Sequence, residues 1–144
     1  MKPIVSATAE AVPQFYDLDP MNIVWHGNYP RFLELGRVAV MKRIGYSYEE
    51  MFESGFAWPI IDLRLRYARP MRLSRAVRIT AGIVEWENAL RINYLIEDAA
   101  SGDRLTRAST SQVALRLPDQ EMLWVTPPVL REKLAPFLPP CSPA

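Results

Sequence analysis

The chain has 144 residues, a formal net charge of +1, and 23% charged residues. This length is typical of a single domain with a sizeable core. Because the charges are balanced and interspersed, we expect neither a nucleic-acid nor an anionic-membrane partner. No run approaches the ~20 apolar residues of a membrane span. Ser6, Thr8 and Glu10 interrupt the apolar stretch that a signal peptide would need. We therefore expect a cytoplasmic protein. The single cysteine, Cys141, argues against a disulfide framework.

The first half of the chain is predicted to contain one dominant helix. Residues 1–10 are predicted to be loosely ordered. Residues 11–16 are predicted to form a short strand, which Pro13 confines to a sheet edge because it cannot donate a backbone hydrogen bond. The helix is predicted over residues 29–44, with Asn28 as N-cap, Pro30 in the first turn and Gly45 as its stop. About half of its circumference is apolar. A second, short helix is predicted over residues 47–54, capped by Ser47.

The second half of the chain alternates apolar and polar residues, which is the pattern of half-buried strands. The strands are predicted over residues 61–67, 77–83, 90–97 and 104–117, with turns at Glu87-Asn88 and at residues 100–103. A short helix over residues 127–137 and a disordered tail over about 138–144 follow. A buried helix followed by antiparallel strands is an α+β pattern, so we expect a curled sheet of about five strands wrapped around one long central helix. The open sheet edges favour pairing with a second copy.

The loop before the long helix concentrates the residue types that carry chemistry. Asp19 and His26 lie seven residues apart, just before a helix N-terminus whose unpaired N–H groups favour negative charge. An ionised Asp19 is suited to act as a base or a nucleophile. The backbone N–H groups of the turn at Trp25, His26 and Gly27 are suited to polarise a carbonyl oxygen. Tyr29 is placed to wall an apolar pocket beside them.

Each of these residues also has a purely structural interpretation. An Asp-x-Asp-Pro sequence is common turn chemistry, and a lone histidine is usually structural. Trp25 and Trp58 are compatible with a core position, and Glu34 with a solvated ion pair to Arg31 or Arg37. One His and one Cys, far apart, make no metal site, and no glycine-rich nucleotide motif is present, so neither a metal nor a separate cofactor is expected.

Residues 17–34, from Asp-Leu-Asp-Pro through Trp-His-Gly-Asn-Tyr to Phe-Leu-Glu, resemble the signature of hotdog-fold thioesterases. The similarity is to the 4-hydroxybenzoyl-CoA and the Tol-Pal-associated acyl-CoA thioesterases. It implies one hotdog domain over residues 1–144, with a core at about 11–118, and a homodimer or homotetramer with active sites between subunits. It also implies that Asp19 and His26 are catalytic and that Asp17 is structural. Asp19 is then the nucleophile or general base, and the backbone N–H at His26, in one branch of the family together with the His side chain, polarises the thioester carbonyl. The residues then expected to contact substrate are Val24, Trp25, Gly27, Tyr29 and Trp58.

Three departures from the family pattern matter. Asn22 replaces a residue that is commonly glycine, Phe15 replaces an assisting tyrosine, and the turn at residues 85–88 is acidic where one branch carries basic residues for coenzyme A. Binding of a nucleotide by Arg69, Arg72 or Arg75 stays open, as does a carrier-protein thioester.

The resulting hypothesis is hydrolysis of acyl-CoA or acyl-carrier-protein thioesters, with coenzyme A present only as part of the substrate. A hotdog dehydratase of 3-hydroxyacyl thioesters and a non-catalytic acyl-thioester-binding module are the alternatives. Trp25, Tyr29 and Trp58 suit an aromatic as well as a medium-chain acyl group.

Overall fold

The computed structural model describes residues 2–139. Those residues form two sheets, three α-helices and three short 3-10 turns. The strands are β1 Val5–Ala11, β2 Phe56–Ala57, β3 Ile60–Tyr67, β4 Val77–Glu85, β5 Leu90–Asp98, β6 Arg104–Gln112, β7 Ala114–Arg116 and β8 Glu121–Leu123. The helices are α1 Tyr29–Arg43, α2 Tyr48–Glu53 and α3 Pro128–Leu134, and the 3-10 turns are Phe15–Asp17, His26–Asn28 and Ala135–Phe137.

The main sheet has five antiparallel strands in the order β1-β4-β5-β6-β3, and α1 packs across one face of it, the inner face. The helix packs tightly on β4 at Gly36, where an added Cβ would sit 2.8 Å from the Ile79 Cγ2 atom. Strand residues of β4 and β5 such as Ile79 and Ile92 are fully buried beneath it. The predicted α+β architecture of a five-stranded sheet around one helix is confirmed.

The start and end of α1 match the prediction to within a residue, and Asn28 occupies the predicted N-cap position, but its side chain does not cap the helix. Asn28 is helical, at φ −89° and ψ −9°, and makes no side-chain cap. Its Nδ2 atom instead donates to the Asp17 carbonyl at 3.0 Å. The chain enters α1 through the 3-10 turn, so no extended cap residue is needed. Ser47, by contrast, caps α2 as expected, with Glu50 completing a capping box.

The N-terminal prediction is also wrong. Residues 5–11 form β1, which pairs along its whole length with β4, and residues 15–17 form a 3-10 turn rather than a strand. The alternation in Val-Ser-Ala-Thr-Ala-Glu-Ala is weak because its apolar members are small, and this hid the strand. The long strand predicted over 104–117 is divided: β6 ends at Gln112, and β7 leaves to form a second sheet with β2 and β8. Strand β8 was not predicted.

Strand β3 occupies one edge of the main sheet and is far more exposed than its alternation predicted. Ile61, Leu63 and Tyr67 are 46%, 39% and 46% exposed, although they belong to the inner-facing series. The reason is that α1 packs mainly on β1, β4 and β5 and leaves much of the inner face of β3 uncovered in a single chain, although Leu65 packs against the core. Strand β3 therefore has unpaired backbone groups along its outer edge and exposed apolar side chains on one face.

The remaining expectations concern turns and the tail. In the predicted turn between β5 and β6, Gly102 has φ +78°, the left-handed conformation. In the predicted turn at Glu87-Asn88, Asn88 has a negative φ and so does not adopt the left-handed conformation. Leu138 packs against the core, so the prediction of disorder is wrong at that residue. The rest of the predicted tail, residues 140–144 with Cys141, lies outside the described residues. Within residues 2–139, no helix is long and apolar enough to cross a membrane.

Candidate active site

Two backbone hydrogen bonds close the loop that carries Asp19. The Asp19 N–H donates to the Ile23 carbonyl at 2.9 Å, and the Asn22 N–H donates to the Asp19 carbonyl at 3.0 Å. Asn22 adopts φ +62°, the left-handed conformation that asparagine tolerates better than other non-glycine residues. Asn22 therefore supplies here the left-handed backbone that a glycine would supply in its place, and the loop is a closed turn in front of α1.

The Asp19 side chain faces a cavity of about 260 Å³ at the beginning of α1. Asp19 is half-buried, and one of its carboxylate oxygens accepts a hydrogen bond from the Met21 N–H at 2.8 Å. No guanidinium or ammonium group within the described residues pairs with it. The cavity is lined by Asp19, Met21, Ile23, Val24, His26, Tyr29, Tyr67, Ala68, Arg69 and Pro70.

Asp17 lies only two residues away but has a different environment. It is 2% exposed, accepts a hydrogen bond from the Gln14 N–H at 2.8 Å and forms an ion pair with Arg31. The chain at Asp17 is a 3-10 turn and not extended, so the alternation of an extended strand does not relate the Asp17 and Asp19 side chains. Asp17 anchors the loop to α1 through Arg31.

The backbone at His26 and Gly27 offers free hydrogen-bond donors. Neither amide N–H has an acceptor among residues 2–139, as is usual at the start of a helix. The Tyr67 hydroxyl donates to the His26 carbonyl at 2.9 Å and so ties this turn to the end of β3. At Gly27 an added Cβ would lie 2.4 Å from the Trp25 ring, so only glycine leaves that ring in place.

Tyr29 and Tyr67 form one wall of the cavity, with ring centroids 4.6 Å apart in an edge-on arrangement. Tyr29 is buried, and its hydroxyl oxygen accepts a hydrogen bond from the Met71 N–H at 3.3 Å. Burial raises the pKa of the Tyr29 phenol, and the nearby Asp19 carboxylate acts in the same direction. The phenol therefore stays protonated beside that carboxylate. Sequence reasoning missed Tyr67, although it ends the apolar series of β3.

The structure does not bring every predicted substrate residue to this cavity. Val24 and Tyr29 line it, whereas Trp25 and Gly27 stand beside it, with the Trp25 ring half-exposed. Trp58 is 5% exposed, and its indole N–H donates to the Tyr46 hydroxyl at 3.2 Å, away from the cavity. Because that position is a core position, Trp58 is removed from the candidate site.

The arginines considered for a nucleotide are partly committed to other groups. Arg69 pairs with Asp103 at 3.4 Å and Arg75 with Asp98 at 2.8 Å, while Arg72 makes no ion pair among the described residues. Throughout residues 2–139, no cluster of three or more His, Cys, Asp or Glu side chains is placed to hold a metal ion.

Comparison with known proteins identifies the family. The model of the Thioesterase-like superfamily matches residues 13–137. The chain is 22% identical over 131 residues to a 1,4-dihydroxy-2-naphthoyl-CoA hydrolase of Thermosynechococcus vestitus, covering 90% of this chain and 89% of that protein. A DHNA-CoA thioesterase structure from Staphylococcus aureus superimposes with a TM-score of 0.82 at 20% identity, over 91% of this chain and 89% of that one.

A third similarity is to a mutant of 4-hydroxybenzoyl CoA thioesterase complexed with 4-hydroxybenzoyl CoA. Its TM-score is 0.78 at 20% identity, over 90% of this chain and 98% of that one. At these identities the structural likenesses establish the fold, and the family match over residues 13–137 establishes the family. The chain belongs to the Thioesterase-like superfamily, and it is a hotdog-fold thioesterase, as the resemblance of its Asp19 loop predicted.

Proposed function

We propose that this thioesterase hydrolyses acyl-CoA or acyl-carrier-protein thioesters at the cavity in front of α1. The observation that carries the proposal is that Asp19 and His26 line one cavity at the point where the helix begins. The carboxylate is held by a single amide donor and has no cationic partner among the described residues, so its lone pairs remain available for reaction. Relatives named as hydrolases of aromatic acyl-CoA thioesters support the substrate class.

The proposed reaction breaks the carbon–sulfur bond of the thioester. The Asp19 carboxylate either attacks the carbonyl carbon, giving an anhydride that water then opens, or removes a proton from the water that attacks. In both cases the thiolate leaves with the bonding electrons and is protonated. In the general-base route the acyl group takes up the water oxygen. In the nucleophilic route water opens the anhydride at the Asp19 carbonyl, so the acyl group leaves with an Asp19 oxygen and the carboxylate is restored with the water oxygen. The amide N–H groups of His26 and Gly27 are the proposed donors to the carbonyl oxygen, which gains negative charge in the transition state.

The acyl group is proposed to lie between Val24 and the two tyrosines. The cavity of one chain, about 260 Å³, is smaller than the ~300–1,000 Å³ of sites that enclose a whole ligand. We therefore propose that it holds the acyl end only and that a second copy of the chain completes the site. Trp25, half-exposed beside the cavity, is available to cover the substrate from one side.

The proposed second copy pairs along β3. This strand is an open edge whose exposed apolar side chains remain uncovered in one chain, which is the situation that invites strand pairing. Tyr67 belongs both to β3 and to the cavity wall, so a partner strand at β3 would lie next to the active site. The proposed assembly is a homodimer, or a homotetramer made of two such dimers.

The dimer can be tested with Leu63→Arg, which places a charge on the exposed inner face of β3. We expect the wild-type protein to sediment as a dimer or tetramer and the variant as a monomer with greatly reduced hydrolysis. Arg78→Gln, on the opposite sheet face, is the matched control and should leave the assembly unchanged. A wild-type monomer that is fully active would contradict the shared site.

Activity itself is tested by a hydrolysis screen across short-chain, long-chain and aromatic acyl-CoAs and acyl carrier proteins, followed by the thiol released. Release of free acid and thiol is expected. Multiple turnovers in ¹⁸O-labelled water then separate the two roles of Asp19, because label enters its carboxylate only if the carboxylate is the nucleophile. Formation of an enoyl product would favour the dehydratase, and tight binding without turnover across the whole panel would favour the binding module.

A further inference from the structure

Three arginines line a second cavity, of about 240 Å³, beside the end of β3. Its lining is Arg66, Arg104 and Arg107 together with Ala68 and Thr106, and it contains no carboxylate. The same three arginines and Arg64 also line a groove on the outer face of the sheet, the face opposite α1, again without an acidic residue. We call Arg66, Arg104 and Arg107 the arginine cluster. Its charge is unusually concentrated for a chain whose net charge is +1.

The arginine cluster contains a like-charged cross-strand pair. Arg66 of β3 lies directly opposite Arg107 of β6 in the strand register, and like charges in this arrangement are destabilising. None of the three forms an ion pair among the described residues; Glu97, opposite Arg104 on β5, stays beyond ion-pair distance and does not line the cavity. A like-charged pair that costs stability, in a cavity and a groove lined by no acidic residue, is explained by an anion that binds there.

The second cavity adjoins the catalytic one. Ala68 lines both, and its N–H and that of Arg69 both donate to the Leu105 carbonyl at 3.0 Å, which fixes the chain between the two cavities. Because side chains alternate along a strand, Tyr67 points into the catalytic cavity while Arg66 points to the other face. A ligand with a flexible arm can therefore place one end beside Asp19 and the other on the arginine cluster by passing the end of β3.

We propose that the arginine cluster binds the phosphate groups of coenzyme A, which rests on the proposed thioesterase function. Coenzyme A carries a pyrophosphate and a ribose phosphate at the far end of its pantetheine arm from the sulfur. Guanidinium groups bind phosphate oxygens in a bidentate way, so three of them without a carboxylate suit several phosphates better than one. A carrier protein presents a single phosphate on its arm, which makes coenzyme A the better fit. The acidic turn at residues 85–88 and the committed Arg69 and Arg75 offer no comparable site.

The test is the double variant Arg66→Gln/Arg107→Gln, assayed with one acyl group on two carriers. With acyl-CoA we expect KM to rise about tenfold to a hundredfold, as is typical when charge-assisted hydrogen bonds are removed, with kcat unchanged. With the same acyl group on phosphate-free pantetheine, both constants should equal those of the wild type. Arg78→Gln is the matched control: it removes one arginine from the same sheet face, outside both cavities, and should change neither substrate's KM.

Two further measurements separate binding from folding. In calorimetric titration, adenosine 3′,5′-bisphosphate should bind the wild type and lose most of its affinity for the double variant. The thermal midpoint of the double variant should be equal to or above that of the wild type, because a repulsive pair is relieved. An unchanged KM for acyl-CoA, or an equal rise for the phosphate-free thioester, would overturn the proposal, as would a rise seen only with acyl carrier protein. A wild type that hydrolyses neither substrate would instead overturn the proposed function.

Discussion

Two turns of the molecule use the same local device and differ in what surrounds it. In the loop before α1, the Asp19 carboxylate accepts the Met21 N–H, and a left-handed Asn22 follows. In the turn between β5 and β6, the Asp98 carboxylate accepts the Ala100 and Ser101 N–H groups at 2.9 Å, and a left-handed Gly102 follows. Both are aspartate-led turns of a common kind.

The difference lies in how many partners each carboxylate has. Asp98 is surrounded by two amides and the Arg75 guanidinium, so its hydrogen-bonding capacity is largely used in holding the turn. Asp19 has one amide partner and faces a cavity that also contains His26 and Tyr29. An aspartate whose acceptors are saturated stabilises the fold, whereas one left partly unsatisfied beside a cavity is available for chemistry.

Replacing each aspartate by asparagine is the strongest test of whether Asp19 acts in the reaction and Asp98 only in the fold. Asp19→Asn should lower kcat for acyl-CoA hydrolysis by at least about a thousandfold, because a neutral amide can neither attack nor take a proton. Its thermal midpoint should stay close to that of the wild type. Asp98→Asn is the matched variant and should keep kcat. Near-normal hydrolysis by purified Asp19→Asn would remove Asp19 from the mechanism.

A second, smaller effect is expected at Tyr67. Tyr67→Phe removes only the hydrogen bond to the His26 carbonyl, which positions the proposed amide donors. Since one such bond contributes about 1 kcal/mol, kcat should fall about threefold to tenfold while KM changes little. Tyr48→Phe, whose hydroxyl bonds to Glu34 away from the cavity, serves as control. A loss that appears entirely in KM would show that the Tyr67 hydroxyl contributes to substrate binding and does not position the turn.

The stability of the Asp98 turn should depend on pH in a defined direction. The Ser101 N–H, followed by the Ala100 N–H and Arg75, lowers the pKa of the Asp98 carboxyl from its usual value of 3.8. The ionised form therefore stabilises the fold above that usual value, and this contribution is lost as the pH falls through the lowered pKa. Asp98→Asn should have a lower thermal midpoint than the wild type at pH 7, and the gap should close in strong acid. A gap independent of pH would show that the charge is not responsible.

The smallest effect is expected at Asn22. Asn22→Gly keeps the left-handed backbone available and should leave hydrolysis unchanged, whereas Asn22→Ala should destabilise the loop by about 1 kcal/mol. Urea unfolding and kcat measured on both variants check this. If alanine were as well tolerated as glycine, the positive φ of residue 22 would have no role in presenting Asp19.

Much of the fold could be predicted because its elements have strong local patterns. The apolar stripe and the glycine stop located α1 to within a residue, and alternation located β3, β4 and β5. Strand β1 was missed because alanines give almost no contrast with their neighbours, and β8 because it has three residues. The division between β6 and β7 follows from pairing with β2 and β8, which no local pattern contains.

The candidate site likewise has a part that the sequence predicted and a part that it did not. Asp19, Val24, His26 and Tyr29 lie within eleven residues, so one loop and one helix N-terminus place them together, and their spacing alone was sufficient. Three features of the site depend on which segments are neighbours in the fold. They are the place of Tyr67 in the cavity wall, the position of Trp58 away from the cavity, and the pairing of Arg66 with Arg107. Local chemistry determined the loop and the helix, because those follow from short-range periodicity and turn preference, and the resemblance of residues 17–34 to a known signature predicted the family. Only tertiary structure decided which carboxylate stays unsatisfied and where the arginines meet, because strand order and helix coverage are set by contacts between distant segments.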